Sequence, residues 1–134
     1  MKLVVDANVL FSALIKDSTS AELLFNENLD LYFPDFIMDE FRKYESIILK
    51  KTHRTREQFY GVLNDLNKVI ATVQKRDFGR KLAEAKRFCP DKDDVMYFAL
   101  ALEMECALWS NDKKLKCQDR VKIYSTDELR LILA

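Results

Sequence analysis

Glycine is nearly missing from this chain, with two in 134 residues. So small a number cannot furnish the Gly-rich loop that cradles phosphates, which excludes a Walker-type or dinucleotide-binding fingerprint. Histidine occurs once, as His53 inside a Lys/Arg-rich stretch, and is read as exposed and outside any catalytic role. The three cysteines, Cys89, Cys106 and Cys117, are odd in number, widely spaced and lack any C-x-x-C pair. Neither a disulfide framework nor a zinc site is expected from them. They are read as buried thiols, Cys106 above all. No serine–histidine or cysteine–histidine pairing suggests a nucleophile. No apolar run approaches the ~20 residues that a bilayer span requires. Lys2 precedes only a short apolar run that Asp6 interrupts, unlike a secretory leader. A cytoplasmic protein with no membrane partner is expected.

What remains is apolar and charged material, 49% and 33% of the residues, enough for one domain spanning 1–134. The net charge is zero but unevenly placed: −6 over residues 1–40, +8 over 41–89 and −2 over 90–134. An acid-lined metal site beside a polyanion-binding surface would look like this, and so would ordinary solvated helix faces.

Periodicity gives strands at 2–5, 30–33, 70–73, 106–109 and 121–124. Helices are expected over 8–16, 21–26, 36–50, 55–68, 77–88 and 95–104, with a last one capped by Thr126 and running to 133. Residues 17–20 are read as a break of cap-type residues and Pro34 as the start of the helix over 36–50. Strands alternating with helices make a three-layer α/β/α sandwich around a five-stranded parallel sheet. In such sheets ligands bind in the crevice outside the carboxyl ends of the strands.

The acids sit where that crevice should be. Asp6 and Asp112 each end an apolar strand, either as caps of the next helix or turn or as groups facing one site. Asp91 and Asp94 share a helical face at the start of the apolar helix, where the macrodipole also favours acids, while Asp93 projects elsewhere. Glu40 stands among the inward positions Phe36, Ile37 and Phe41, and its neighbours Arg42 and Lys43 project to other faces, so it wants a partner. Asn8 is read either as the N-cap of the first helix or as a group orienting Asp6 or a metal-bound water; Ser110 and Asn111 carry the same two readings. Hard carboxylate oxygens with little competing chemistry suit Mg²⁺ or Mn²⁺. Such ions support phosphodiester hydrolysis.

The runs Val4-Val5-Asp6-Ala7-Asn8, Glu40 on the third helix, Asp91-Lys92-Asp93-Asp94 opening an Ala/Leu-rich helix, and Trp109-Ser110-Asn111-Asp112 together resemble the PIN domain nuclease family, which includes the VapC toxins of toxin–antitoxin pairs. The resemblance implies strand order 3-2-1-4-5 and a Mg²⁺- or Mn²⁺-dependent endoribonuclease acting on RNA. It implies Asp6, Glu40, Asp94 and Asp112 as catalytic metal ligands, Asp91 as a further ligand and Ser110 supporting the last acid. It further implies a homodimer and an antitoxin partner. Lys50, Lys51, Arg54 and Arg56, with Lys113, Lys114 and Lys116, are candidates for phosphate contacts. Two competitors are kept: a PIN fold that binds RNA without cutting it, and a haloacid-dehalogenase-like phosphatase. The phosphatase would need a second acid where Asn8 stands.

Overall fold

The computed structural model describes residues 1–15 and 18–134, and of Ser18 and Met38 the backbone alone. Five parallel strands, β1 (Lys2–Val5), β2 (Asp30–Pro34), β3 (Ile70–Val73), β4 (Ala107–Trp109) and β5 (Ile123–Tyr124), form one sheet in the order 3-2-1-4-5. The family resemblance implied this order. Leu3, Val4 and Val5 are all fully buried. Successive strand residues face opposite sides, so burial of all three means that both faces of the sheet are covered.

The helices are α1 (Ala7–Ile15), α2 (Ser18–Leu24), α3 (Ile37–Thr52), α4 (Arg56–Val69), α5 (Lys75–Phe78), α6 (Leu82–Phe88), α7 (Val95–Met104) and α8 (Thr126–Leu133). The most buried is α7, with Val95, Tyr97, Phe98, Ala99, Leu100 and Ala101 all inside. It packs on β1, β2 and β4. Removing Phe98, which has no exposed surface, would cost about 3–5 kcal/mol. Among the described residues no helix is long and apolar enough to cross a membrane.

Several boundaries differ from the periodicity. The expected end of the first helix at Lys16 and the break at Asp17 lie outside the described residues. Ser18–Ser20 belong to α2 instead of the break. Pro34 closes β2, and α3 begins at Ile37 with no side-chain cap. The helix expected over 77–88 is interrupted by a 3₁₀ turn at Gly79–Lys81, where glycine weakens the α preference. Thr126 is not the cap of α8: Ser125 and Glu128 form a capping box, each side chain bonding the other's backbone N–H. Thr126 is instead buried, and its hydroxyl oxygen accepts from Trp109 Nε1 at 3.1 Å. Of the cysteines, Cys89 and Cys106 are half-buried and Cys117 is exposed, so the buried-thiol expectation is met only in part by the first two and fails for the last.

Candidate functional site

Register decides which acids meet. Val5 is paired with Trp109, so the next residues along, Asp6 and Ser110, emerge side by side at the carboxyl edge of the sheet. The strand order reverses between β1 and β4, which makes this the crevice position. Asp6 is 4% exposed and both its oxygens are engaged. Oδ1 accepts from the Asn8 N–H at 3.0 Å and Oδ2 from the Ser110 hydroxyl at 2.8 Å. Ser110 Oγ in turn accepts from the Asp112 N–H at 3.2 Å. One buried hydroxyl thus bridges the first and last acids of the chain's site.

Capping and site-forming are not alternatives here. Asp6 caps α1 through Asn8 N, which corrects the reading of Asn8 as the cap; Asn8 is the second residue inside the helix. Its side-chain amide makes no hydrogen bond among the described residues and lines the cavity beside Asp6. Asp112 accepts from Lys114 N at 3.0 Å and Asp91 from Asp93 N at 2.9 Å, each opening a 3₁₀ turn. Asp94 also occupies a cap position, at the start of α7, yet makes no capping bond.

A cavity of about 500 Å³ opens between α1, α3 and the start of α7. Asp6, Glu40 and Asp94 line it together with Asp93. Asp112 borders an adjoining cavity of about 280 Å³ with Asp6 and Asn8. Asp91 lines neither; Asp93, which the helical spacing turned away, takes the rim position because the segment Lys92–Asp94 is a 3₁₀ turn.

Electrostatics ties these acids together. Burial pushes the Asp6 carboxyl above the usual carboxylate range, the N–H of Asn8 and the Ser110 hydroxyl pull it back, and the Asp112 charge adds to the rise. Asp94 is pushed up to about 7, by burial first and then by Asp6, Asp91, Asp112 and Asp93. Among the described residues no lysine or arginine forms an ion pair with any of them. As they stand, no three acids among the described residues are drawn close enough to hold a metal ion. The donor set still fits one in kind: it is all oxygen and anionic, and no hydrogen bond among the described residues fixes the carboxylates of Glu40 or Asp94.

One residue at the site escaped the sequence reading. Tyr97, three residues after Asp94 on α7, lines the cavity and is 5% exposed. Its rings of contact are Phe33 and Phe36, at 5.5 and 5.8 Å between centroids. Burial, then the Asp6 charge, raises its hydroxyl well above the ordinary phenol range, against a hydrogen bond with the Ala7 backbone. The i, i+3 spacing from Asp94 was the available signal.

Other candidates are placed elsewhere. The Asn111 side chain turns to α8, accepting from Thr126 N at 2.8 Å and donating to Thr126 Oγ1 at 3.0 Å. It holds the end of β4 to α8 and does not orient an acid. Arg54 Nη1 donates to the Leu14 carbonyl at 2.7 Å, so it closes the end of α1 and is not a free phosphate ligand. Arg56 approaches Glu45 at 3.8 Å. Lys50 and Lys51 are exposed in the last turn of α3, and His53 is exposed with φ 56°, ending that helix. Lys113 and Lys114 are exposed immediately after Asp112, and Lys113 lines a polar cavity with Ser110, Asp112 and Lys116. Lys116 is already paired with Glu128.

A five-stranded parallel sheet with acids following β1 and β4, on α3 and at the start of α7 gathered at its carboxyl edge defines a parallel α/β domain with an acidic crevice at the switch point. The chain belongs to the PIN domain family, whose profile matches residues 4–134. PIN domains are generally nucleases that use divalent metal ions. Comparison with curated proteins finds no match. Seven chains of solved structures match. Among them is a chain of the crystal structure of VapBC2 from Rickettsia felis bound to a DNA fragment from their promoter. It is 14% identical, covers 93% of this chain and 98% of that one, and has a TM-score of 0.66. At that identity the likeness is one of fold. Family membership displaces the phosphatase reading.

Proposed function

We propose that this PIN domain is a metal-dependent endoribonuclease. The observation that carries the reading is the Asp6–Ser110–Asp112 bridge, facing Asp94 and Glu40 across a crevice whose acids form no ion pair among the described residues. Asp6, Glu40, Asp94 and Asp112, with Asp93 at the rim, would hold Mg²⁺ or Mn²⁺, which when bound activates water and neutralises charge on the phosphodiester, while Asp91 adds charge near Asp94 from outside the cavity. Ser110 holds Asp6 in one rotamer and ties it to the Asp112 backbone. Tyr97 closes the floor of the crevice and keeps bulk water from the buried side of the acids. Lys113 and Lys114 draw RNA phosphates to the edge where water adds to phosphorus and the bond to a ribose oxygen breaks; that oxygen leaves with a proton. Lys50, Lys51 and Arg56 extend this attraction along the end of α3 and the start of α4.

An antitoxin partner and a toxin role are proposed with it, in line with the VapBC2 assembly to which the similar chain belongs; a homodimeric state is proposed on the family resemblance alone. The deciding experiment is Mn²⁺-dependent cleavage of single-stranded RNA by the wild-type protein and by Asp6→Asn. Cleavage that disappears in the variant, with an unchanged far-ultraviolet spectrum, supports the reading; cleavage that persists removes it. The second reading, an RNA-binding PIN domain that does not cut, is favoured by one fact: among the described residues no three acids are preassembled. RNA bound at low salt and never cut with any divalent ion would establish it.

A further inference from the structure

We propose that the cavity between α1 and α3 receives the base of an unpaired nucleotide beside the bond to be cut, with the Tyr44 ring as its stacking surface. This rests on the nuclease reading and gives it a substrate class. Along both helices the lining passes from polar to apolar. Asp6 and Asn8 precede Phe11 and Ile15 of α1, and Glu40 precedes Tyr44, Ile47 and Ile48 on α3. Tyr44 is half-buried and stands edge-on to Phe11, with centroids 5.4 Å apart and planes at 72°, so its ring is held in one orientation. Ile47, 50% exposed, carries the apolar wall out to solvent. The volume is that of a small-ligand site. Asn8, between Asp6 and Phe11 along the chain, also lines the cavity, and its amide, which makes no hydrogen bond among the described residues, offers two donors and an acceptor to a base edge.

Charge selects the occupant. Lys43 Nζ lies 5.4 Å from the Tyr44 ring centroid, where it attracts a nucleotide phosphate and repels a cationic peptide. An exposed lysine holds a ring more weakly than a base stacks on it, so it gives way. A base in a duplex has both its faces and its pairing edge occupied; only an unpaired one fits.

The test uses fluorescein-labelled oligomers of uridine, adenosine and cytidine, and an abasic ribose-phosphate oligomer of equal length. Binding is read by anisotropy at low salt without divalent ions, and cleavage is read separately with Mn²⁺. Tyr44→Leu should weaken binding of at least one base-bearing oligomer roughly 10-fold, the usual loss for a stacking ring, and leave the abasic oligomer unchanged. Tyr44→Phe, which keeps the ring, should match wild type. Equal loss on both kinds of oligomer, or on neither, with an unaltered melt for Tyr44→Leu, overturns the base site. So does a loss confined to a basic apolar peptide, which would make the cavity a protein groove. A wild-type protein that binds in the expected pattern but never cleaves refutes the nuclease reading and leaves the base site standing; cleavage indifferent to Tyr44 does the reverse.

Discussion

The two sides of the acid crevice are built in different ways. On the strand side every oxygen of Asp6 has a donor, and Ser110 fastens that carboxylate to the Asp112 backbone. On the helix side Asp94 and Glu40 are half-buried, and no hydrogen bond among the described residues fixes either carboxylate. The locked side owes its geometry to sheet register, which cannot shift by one residue without turning the whole strand inside out. The loose side owes its position to helix packing alone, and it carries the electrostatic stress: Asp94 is raised to about 7. Together they suggest a division of labour. One half sets the position of the site and the other adapts to the ion or substrate that enters it.

Substitutions can break this contrast, and the largest effect should come from the loose side. Asp94→Asn should lower Mn²⁺-dependent RNA cleavage by at least about 100-fold, more than is usual for outer ligands. The same change should raise the melting temperature of the metal-free protein above pH 7, because it removes a destabilising charge. A variant both less active and more stable would separate the two sides cleanly. Ser110→Ala should instead lose on both counts. It removes a donor to a buried carboxylate and an acceptor for Asp112 N, costing about 1–3 kcal/mol in a denaturant melt, and it should slow cleavage roughly 10- to 100-fold.

Acidity gives a third contrast. Asp94 has a folded pKa of about 7 against an ordinary value of 3.8, so the folded protein holds a proton that the unfolded chain releases. Its contribution to stability is intact below the unfolded value and is lost as pH rises through the folded one. Asp6 shifts in the same direction. The metal-free protein should therefore melt higher at pH 5 than at pH 8, on the order of a few degrees. Asp94→Asn or added Mn²⁺ should flatten that slope. The smallest effects concern the cations. Lys113→Ala should reduce the salt slope of RNA binding by about 1. Arg54→Ala should leave that slope unchanged and cost about 1 kcal/mol of stability, since its guanidinium is spent on the Leu14 carbonyl.

The strands and the apolar helix were legible because their signal is burial itself. Leu3, Val4 and Val5, or the residues of α7, leave no face to solvent, and an unbroken apolar run says so directly. Asp6 and Asp112 were legible for a related reason, as each ends such a run. What could not be read is whatever depends on two distant segments meeting. Arg54 looked like any surface base, and only the fold brings the end of α1 beneath it. Asn111 looked like a cap or a site-orienting group and Thr126 like a cap, and they are a hydrogen-bonded pair, exposed Asn111 on buried Thr126, holding the end of β4 to α8. Asp93 and Asp91 exchange places at the rim because a 3₁₀ turn rotates each residue by more than an α-helix does. Tyr97 was hidden by its apolar company; its hydroxyl comes near the acids only because α7 packs on β1.

Titration of Mn²⁺ into the metal-free protein, followed by calorimetry on wild type and Asp94→Asn with RNA cleavage read on the same samples, bears most directly on the site. Wild type should take up Mn²⁺ and cut single-stranded RNA only after doing so, and the variant should do neither while melting cooperatively. Cutting that survives chelation, or an Asp94→Asn protein that binds Mn²⁺ and cleaves like wild type, would contradict the account.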